Sequence, residues 1–465
     1  MPGRRLQPRG AGRIRRRAPS RVAGGVSGET PQKRGWFRTF CRVCEWTSLG
    51  ILLLAAAGVY LFYNELRPKV IFGLRQDFAQ AIPVQKVPAG LSSLKAEECG
   101  KCHREIYEEW KTSYHAQAFT DPFFRAYWRK DGEVWICLNC HTPLANQQPA
   151  LITEVPRNRV EKAVTAPNPD YDQALQQEGI TCAGCHVRDG VILGPFDDSV
   201  APHPTQFDPK FRTTEICYRC HQVPKGPFQF YNVGPCGTFP EYEGTYFARE
   251  RGLICESCHM PEVERPMADG GPIRLGRRHL WRGGHDPEQI KSALAVQLAA
   301  DPPQPRPGEP TTFTLTLINA GAGHKLPTGD PDRYFTVEFR VVDGTGRVVK
   351  DQADAMGRWI LWQPVIVELY DNRLPPLASR DYRFTYRMPE SSDALAGLKL
   401  RVRVRYHILT DKAYHTLKER YGLQGDYPYS FAIYEREVPL SGPLSAEFIP
   451  LGGPRASAAS CSQKG

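Results

Sequence analysis

Polar and apolar positions divide this chain of 465 residues into stretches of different periodicity. Trp46 to Tyr63 reads WTSLGILLLAAAGVYLFY, 18 residues without a charge. That length predicts one helix just able to cross a bilayer, with Trp46, Tyr60 and Tyr63 as interfacial anchors. Residues 64–93 form a connector with helix-compatible patches, broken at Pro83 and Pro88. Residues 94–300 predict only short helices, at Glu105–Ser113, Gln173–Glu178, Glu241–Arg251 and Pro287–Ala293. After the proline-rich stretch from Asp301 to Pro310 the period becomes two. Thr312–Ile318, Tyr334–Val342, Asp381–Arg387, Leu398–His407 and Phe431–Val438 alternate apolar and polar residues and predict strands. Asp343-Gly-Thr-Gly reads as a hairpin turn, and Asp411–Tyr421 as a helical insert. The expected fold is multidomain. A single N-terminal transmembrane helix precedes a mainly α, loop-rich domain, then an immunoglobulin-like β-sandwich over 301–440 and a weakly structured tail, 441–465.

Composition supports this division. Hydrophobic residues make up 41% of the chain, too few for a polytopic membrane protein, and 41 Gly with 41 Pro favour loops. The net charge of +10 resides in residues 1–45, which hold 12 Lys/Arg against 2 Asp/Glu; the rest balances at 48 of each sign. A basic flank before an apolar span places residues 1–45 in the cytoplasm and the domains beyond the span outside it, in the periplasm. No nucleic-acid partner is suggested, because the body carries no basic excess. Ala55-Ala56-Ala57-Gly58 resembles a signal-peptide cleavage site, but the aliphatic stretch before it is short and apolar residues continue to Tyr63. An uncleaved anchor in the inner membrane is the expectation.

The chemistry sits in the middle domain. Cys99-Gly-Lys-Cys102-His103, Cys137-Leu-Asn-Cys140-His141, Cys182-Ala-Gly-Cys185-His186, Cys217-Tyr-Arg-Cys220-His221 and Cys255-Glu-Ser-Cys258-His259 all read C-x-x-C-H. This is the c-type haem attachment pattern: two thiols form thioethers to one porphyrin, and the next imidazole lies beneath its iron. Composition alone predicts about 0.01 such matches. Zinc ribbons pair knuckles about 15–20 residues apart without requiring a following His; here the motifs start 35 to 45 residues apart and His follows every time. Five haems c in about 200 residues leave roughly 40 residues each, so porphyrin must form much of the interior, and its propionates make the body acidic. Ten of the 14 Cys are thereby used. Cys41 and Cys44 precede Glu45, not His, and are not expected to carry haem. Cys236 and Cys461 could pair in an oxidising compartment.

Low-spin irons need a second axial ligand. Seven histidines lie outside the motifs. His115 follows the first motif beyond a helix. His279 and His285 flank Leu-Trp-Arg-Gly-Gly, His203 precedes the fourth motif, and His324 sits in the glycine-rich Asn319-Ala-Gly-Ala-Gly-His324 loop. These five are the candidate distal ligands. His407, at a strand end, and His415, in the insert, read as ordinary residues, and Met260 is too close to His259 to reach the same iron.

CGKCHREIYEEWKTSYHAQAF, ICLNCHTPLANQQP, GITCAGCHVRDG, EICYRCHQ, ICESCHMP and HLWRGGHDP resemble the multihaem c-type cytochromes related to tetrahaem cytochrome c-554. The resemblance covers about 94–287. It implies closely packed haems, mostly bis-histidine, acting as an electron relay, and supports His115 and the His279/His285 stretch as ligands. Five motifs, the anchor and the β-domain depart from that family. Pentahaem nitrite reductases carry Lys in the catalytic motif, whereas all five motifs here end in His. The expected function is a membrane-anchored periplasmic electron carrier. Its expected partners are redox proteins, including a membrane quinol or respiratory complex, and a homo-oligomer is compatible with the sequence. The alternatives are an oxidoreductase whose one open-coordination haem acts on a small nitrogen or sulfur compound, and a quinol-oxidising cytochrome.

Overall fold

A computed structural model describes residues 31–67, 74, 80–226 and 228–452. The basic tail 1–30, most of the first half of the connector, and the end of the C-terminal tail, with Cys461, lie outside the described residues. The chain divides into two units, through Leu66 and from Arg67 onward.

The first unit is one helix, α1 (Pro31–Leu61), continued by a π-helical turn over Phe62–Leu66. Pro31 occupies the first turn, where its missing N–H costs nothing. The helix therefore begins well before the apolar run and carries part of the basic flank. Arg38–Leu66 is long and apolar enough to cross a membrane, and none of its most apolar window is buried.

In the second unit, period-two sequence forms two sheets. The strands are β1 (Leu294–Asp301), β2 (Pro310–Asn319), β3 (Tyr334–Val342), β4 (Val348–Leu361), β5 (Ile366–Asp371), β6 (Ser379–Arg387), β7 (Lys399–His407), β8 (Ser430–Pro439) and β9 (Glu447–Pro450). One sheet runs β6-β2-β1-β9, the other β8-β7-β3-β4-β5, with Gln229–Phe230 added in parallel at its edge. Alternate residues of both sheets enter one core, where Phe339 of β3 stacks on Phe384 of β6 with ring centroids 5.5 Å apart. Asp343 closes the β3–β4 hairpin, its side chain accepting from the Thr345 and Arg347 amides. Between β7 and β8 lies α2 (Asp411–Arg420), capped by Thr410 and buried through Tyr414 and Leu417.

All five expected strands are present, but four others also belong. β1 precedes the expected boundary at 301 and is buried on both faces over much of its length, so alternation is masked. β4 begins with six exposed residues, and β9 lies inside the stretch expected to be tail.

The motif region is built differently. Its apolar clusters are Ile82, Leu94, Leu144, Leu175, Ala183 and Val187, and the pair Ile136 and Val160. These are far too few to order some 200 residues, while the β-sheets own nearly all the main core. Helices are short: Arg104–Lys111 and Gln173–Gln176 lie where expected, and the expected Glu241–Arg251 helix is two turns, Phe239–Tyr242 and Tyr246–Arg249, interrupted at Gly244. A buried ionic network joins this region to the sheets. Arg373 Nη1 lies 2.6 Å from Glu241 Oε1, its Nε donates to Asp371 at 2.9 Å, and Thr328 Oγ1 donates to Glu241 Oε2 at 2.7 Å.

Phe339→Ala, at a fully buried position, should destabilise the protein by about 3–5 kcal/mol, measured by urea unfolding. Arg373→Met leaves Glu241 buried without its cation and should cost about 3–5 kcal/mol in the same assay.

Candidate functional site

Each motif occupies a helical turn: Ala96–Gly100 running into Cys102, Leu138–His141 after a 3-10 turn ending at Cys137, Cys182–His186, Glu215–His221 and Cys255–His259. Residues three and four apart share a helix face, so both thiols and the imidazole of a motif point to one side. For four of the five, the imidazole Nδ1 donates to a backbone carbonyl. His103 bonds Met267 O at 2.7 Å, His141 Ala118 O at 2.6 Å, His186 Leu193 O at 2.7 Å and His259 Arg282 O at 3.3 Å. Such a bond sets the tautomer and leaves Nε2 with its lone pair free for a metal. A thioether-linked haem iron fits this donor set.

The remaining histidines settle into pairs. His221 faces His115 with ring centroids 6.4 Å apart, His186 faces His279 at 6.4 Å, and His259 faces His324 at 6.3 Å. Two metal–nitrogen bonds of about 2 Å plus two half-rings of about 1.1 Å sum to about 6.2 Å, so each spacing admits one iron. Burial pulls His115 down to about 3 and His221, His259 and His279 to about 4, assisted by neighbouring imidazoles. The neutral imidazole is the ligating form. His203 lies near enough to His103 for the two charges to interact.

His285 is placed differently from expectation. It packs against Tyr114 at 5.1 Å and sits 3.4 Å from Asp121, beside Arg333, and is not paired with a motif imidazole. His407 stacks on Tyr334 and bonds Thr336, while His415 stays beside Tyr414 in α2. All twelve histidines are described, and three of the five motif imidazoles have a partner at this spacing; His103 and His141 do not. Phe124 instead stacks flat on the His141 ring at 3.6 Å.

Surrounding residues hold these positions, and several were not legible in the sequence. Gly179, with φ +60°, lies against the His115 carbonyl, which accepts from Ile180 N at 2.9 Å; a Cβ at Gly179 would meet that carbonyl oxygen at 2.7 Å. Trp281 packs on both His115 (4.7 Å) and His279 (4.9 Å). Glu109 accepts from the His279 amide at 2.9 Å and pairs with Arg265 through two nitrogens. Asn319 donates to the His324 carbonyl at 2.9 Å, fixing the glycine-rich loop. Cβ-free Gly323 lets that loop lie on Tyr242, ahead of the fifth motif. Cys236 is partly buried and forms no disulfide among the described residues, its thiol pushed up to about 12 by desolvation and Asp330.

Motifs meet in an order unlike their order in the chain. The Cys99 and Cys182 thiols touch, as do Cys140 with Cys220 and Cys217 with Cys255. Cys185 also interacts with Cys220. The third motif therefore links the first to the fourth, and the fourth also adjoins the second and the fifth.

No protein-family model matches the sequence, and no curated protein matches it. Among solved structures the chain is similar to a penta-heme cytochrome c552 from Thermochromatium tepidum, with TM-score 0.54 and 18% identity over 76% of this chain and 100% of that one. Over the matched part the chain thus shares the fold of that penta-heme cytochrome. A β-glucuronidase of Bacteroides uniformis matches 25% of this chain and 11% of its own at TM-score 0.14, too low to carry an argument.

Replacing His115, His279 or His324 singly by Ala should convert one low-spin ferric signal to high-spin in electron paramagnetic resonance. His285→Ala should leave the number of low-spin irons unchanged.

Proposed function

We propose that this chain is a membrane-anchored, exported five-haem cytochrome c that relays electrons between redox partners. The observation carrying this reading is the set of three imidazole pairs spaced for one iron each. Bound haem iron supplies one-electron ferric/ferrous chemistry. The polypeptide holds the thiol and imidazole donors, keeps the imidazoles neutral by burial, and brings the motifs into contact so that transfer distances stay short. The fourth motif is the junction, with the first, second and fifth as its ends. His324, on the loop that follows β2, would hold the fifth-motif iron opposite His259, and this would account for a β-domain, immunoglobulin-like in style, beside the motif region. The basic flank keeps residues 1–45 in the cytoplasm, and α1 confines the relay beside a membrane quinol or respiratory complex. The five motifs support five covalent haems, and the local sequences around them support a relation to the c-554 cytochromes.

A second reading is favoured by His141. His141 would hold the second-motif iron, and with Phe124 rather than an imidazole against its ring that iron would be left able to bind a small nitrogen or sulfur compound.

Low-temperature electron paramagnetic resonance of the purified protein, with carbon monoxide binding to the reduced form, tests both. A high-spin iron that binds carbon monoxide, beside at least three low-spin irons, supports the relay with an open end. Five low-spin irons indifferent to carbon monoxide leave only the relay. Absence of a Soret band overturns both.

A further inference from the structure

The short stretch from His279 to Arg282 reaches the histidines of three motifs. His279 itself faces His186 of the third motif, with ring centroids 6.4 Å apart. Trp281 lies on His115, the partner of His221 in the fourth motif, at 4.7 Å with the ring planes 33° apart. The same indole meets His279 edge-on, at 4.9 Å and 89°. The Arg282 carbonyl accepts from Nδ1 of His259, in the fifth motif, at 3.3 Å.

Both ends of the stretch are tied to one helix. Glu109, in the helix Arg104–Lys111, accepts from the His279 amide at 2.9 Å. Arg282 donates to the carbonyl of Thr112, the residue that ends this helix, at 2.6 Å and to its Oγ1 at 3.0 Å. Between these ties Trp281 has φ +35°, a left-handed backbone that favours glycine. The chain nevertheless places its glycines at 283 and 284 and an indole at the strained position. Surrounding contacts must hold such a residue in place, and backbone strain of this kind gathers at functional sites.

His115 depends on this indole more than His279 does. The His279 ring is oriented by its own Nδ1, which donates to the Arg277 carbonyl at 3.0 Å. Among the described residues no hydrogen bond orients the His115 ring, and stacking on Trp281 takes that place. Groups that orient a metal-binding imidazole from behind also tune the metal. We propose that Trp281 is a positioning residue shared by the distal histidines of the third and fourth motifs. One indole sets the orientation of both rings, so the two irons are tuned as a pair, at the step where the third motif meets the fourth. The inference rests on reading His115 and His279 as axial ligands.

The test uses the purified full-length holoprotein, low-temperature electron paramagnetic resonance and an optical redox titration. Loss of one low-spin signal in each of His115→Ala, His279→Ala and His324→Ala assigns the three signals. Trp281→Leu keeps apolar bulk without a flat ring, and Trp281→Phe keeps a smaller ring. In Trp281→Leu the His115 and His279 signals should both change resonance position, His115 more, and two components of the titration should shift in potential. The His324 signal should stay. Trp281→Phe should move the same two signals by less than half as much. If Trp281→Leu lacks a Soret band, Trp281→Phe decides alone: movement of both signals supports the proposal, and movement of one or neither overturns it. In either variant, movement of all three signals together shows a purely structural support and overturns it, as does an unchanged Trp281→Leu. In these cases the ligand reading stands. If His115→Ala and His279→Ala each retain every low-spin signal, the ligand reading falls and the proposal with it.

Discussion

The requirement that buried imidazoles face one another across the width of one metal atom governs the second unit. Three pairs meet it at 6.3–6.4 Å, and the ligands come from segments remote in sequence: His115 with His221, His186 with His279, His259 with His324. Such a pair is stable only if each ring is fixed from outside, because an imidazole left to rotate would choose water. Carbonyls of Met267, Ala118, Leu193 and Arg282 fix the motif rings. Trp281, Glu109 and Asn319 do so for the opposite partners. These contacts make the loops between motifs rigid without long helices.

The same requirement explains the uneven core. Where the sheets lie, Phe313, Phe335, Phe339, Phe384 and Tyr406 are almost fully buried and the apolar interior is continuous. Where the motifs lie, apolar clusters are small and separated. A porphyrin at each motif would supply the apolar surface that these small clusters do not. The Arg373–Glu241 pair and the His324 loop both cross from sheets to motifs, so the well-packed part holds the loosely packed part in register.

Much of this was legible in the chain. The five pentapeptides declare their chemistry because two thiols and one imidazole must reach one porphyrin, a constraint local to five residues. The strands of β2, β3, β6, β7 and β8 declare themselves because one face meets the core and the other water. β1 did not, since burial on both faces erases alternation, and neither did β4, whose first half is exposed on both.

Sequence by itself thus determined which residues can hold haem, that one helix suits a membrane, and that a β-rich part lies beyond the motifs. Tertiary structure decided which histidine faces which, that His285 turns to Asp121, that His141 has no imidazole opposite, and that the fourth motif adjoins the second, third and fifth. The physical reason is range. Attachment motifs and amphipathic periods are set by neighbours within a few residues, whereas an axial pair is closed by loops of up to about a hundred residues, whose course depends on everything they pack against.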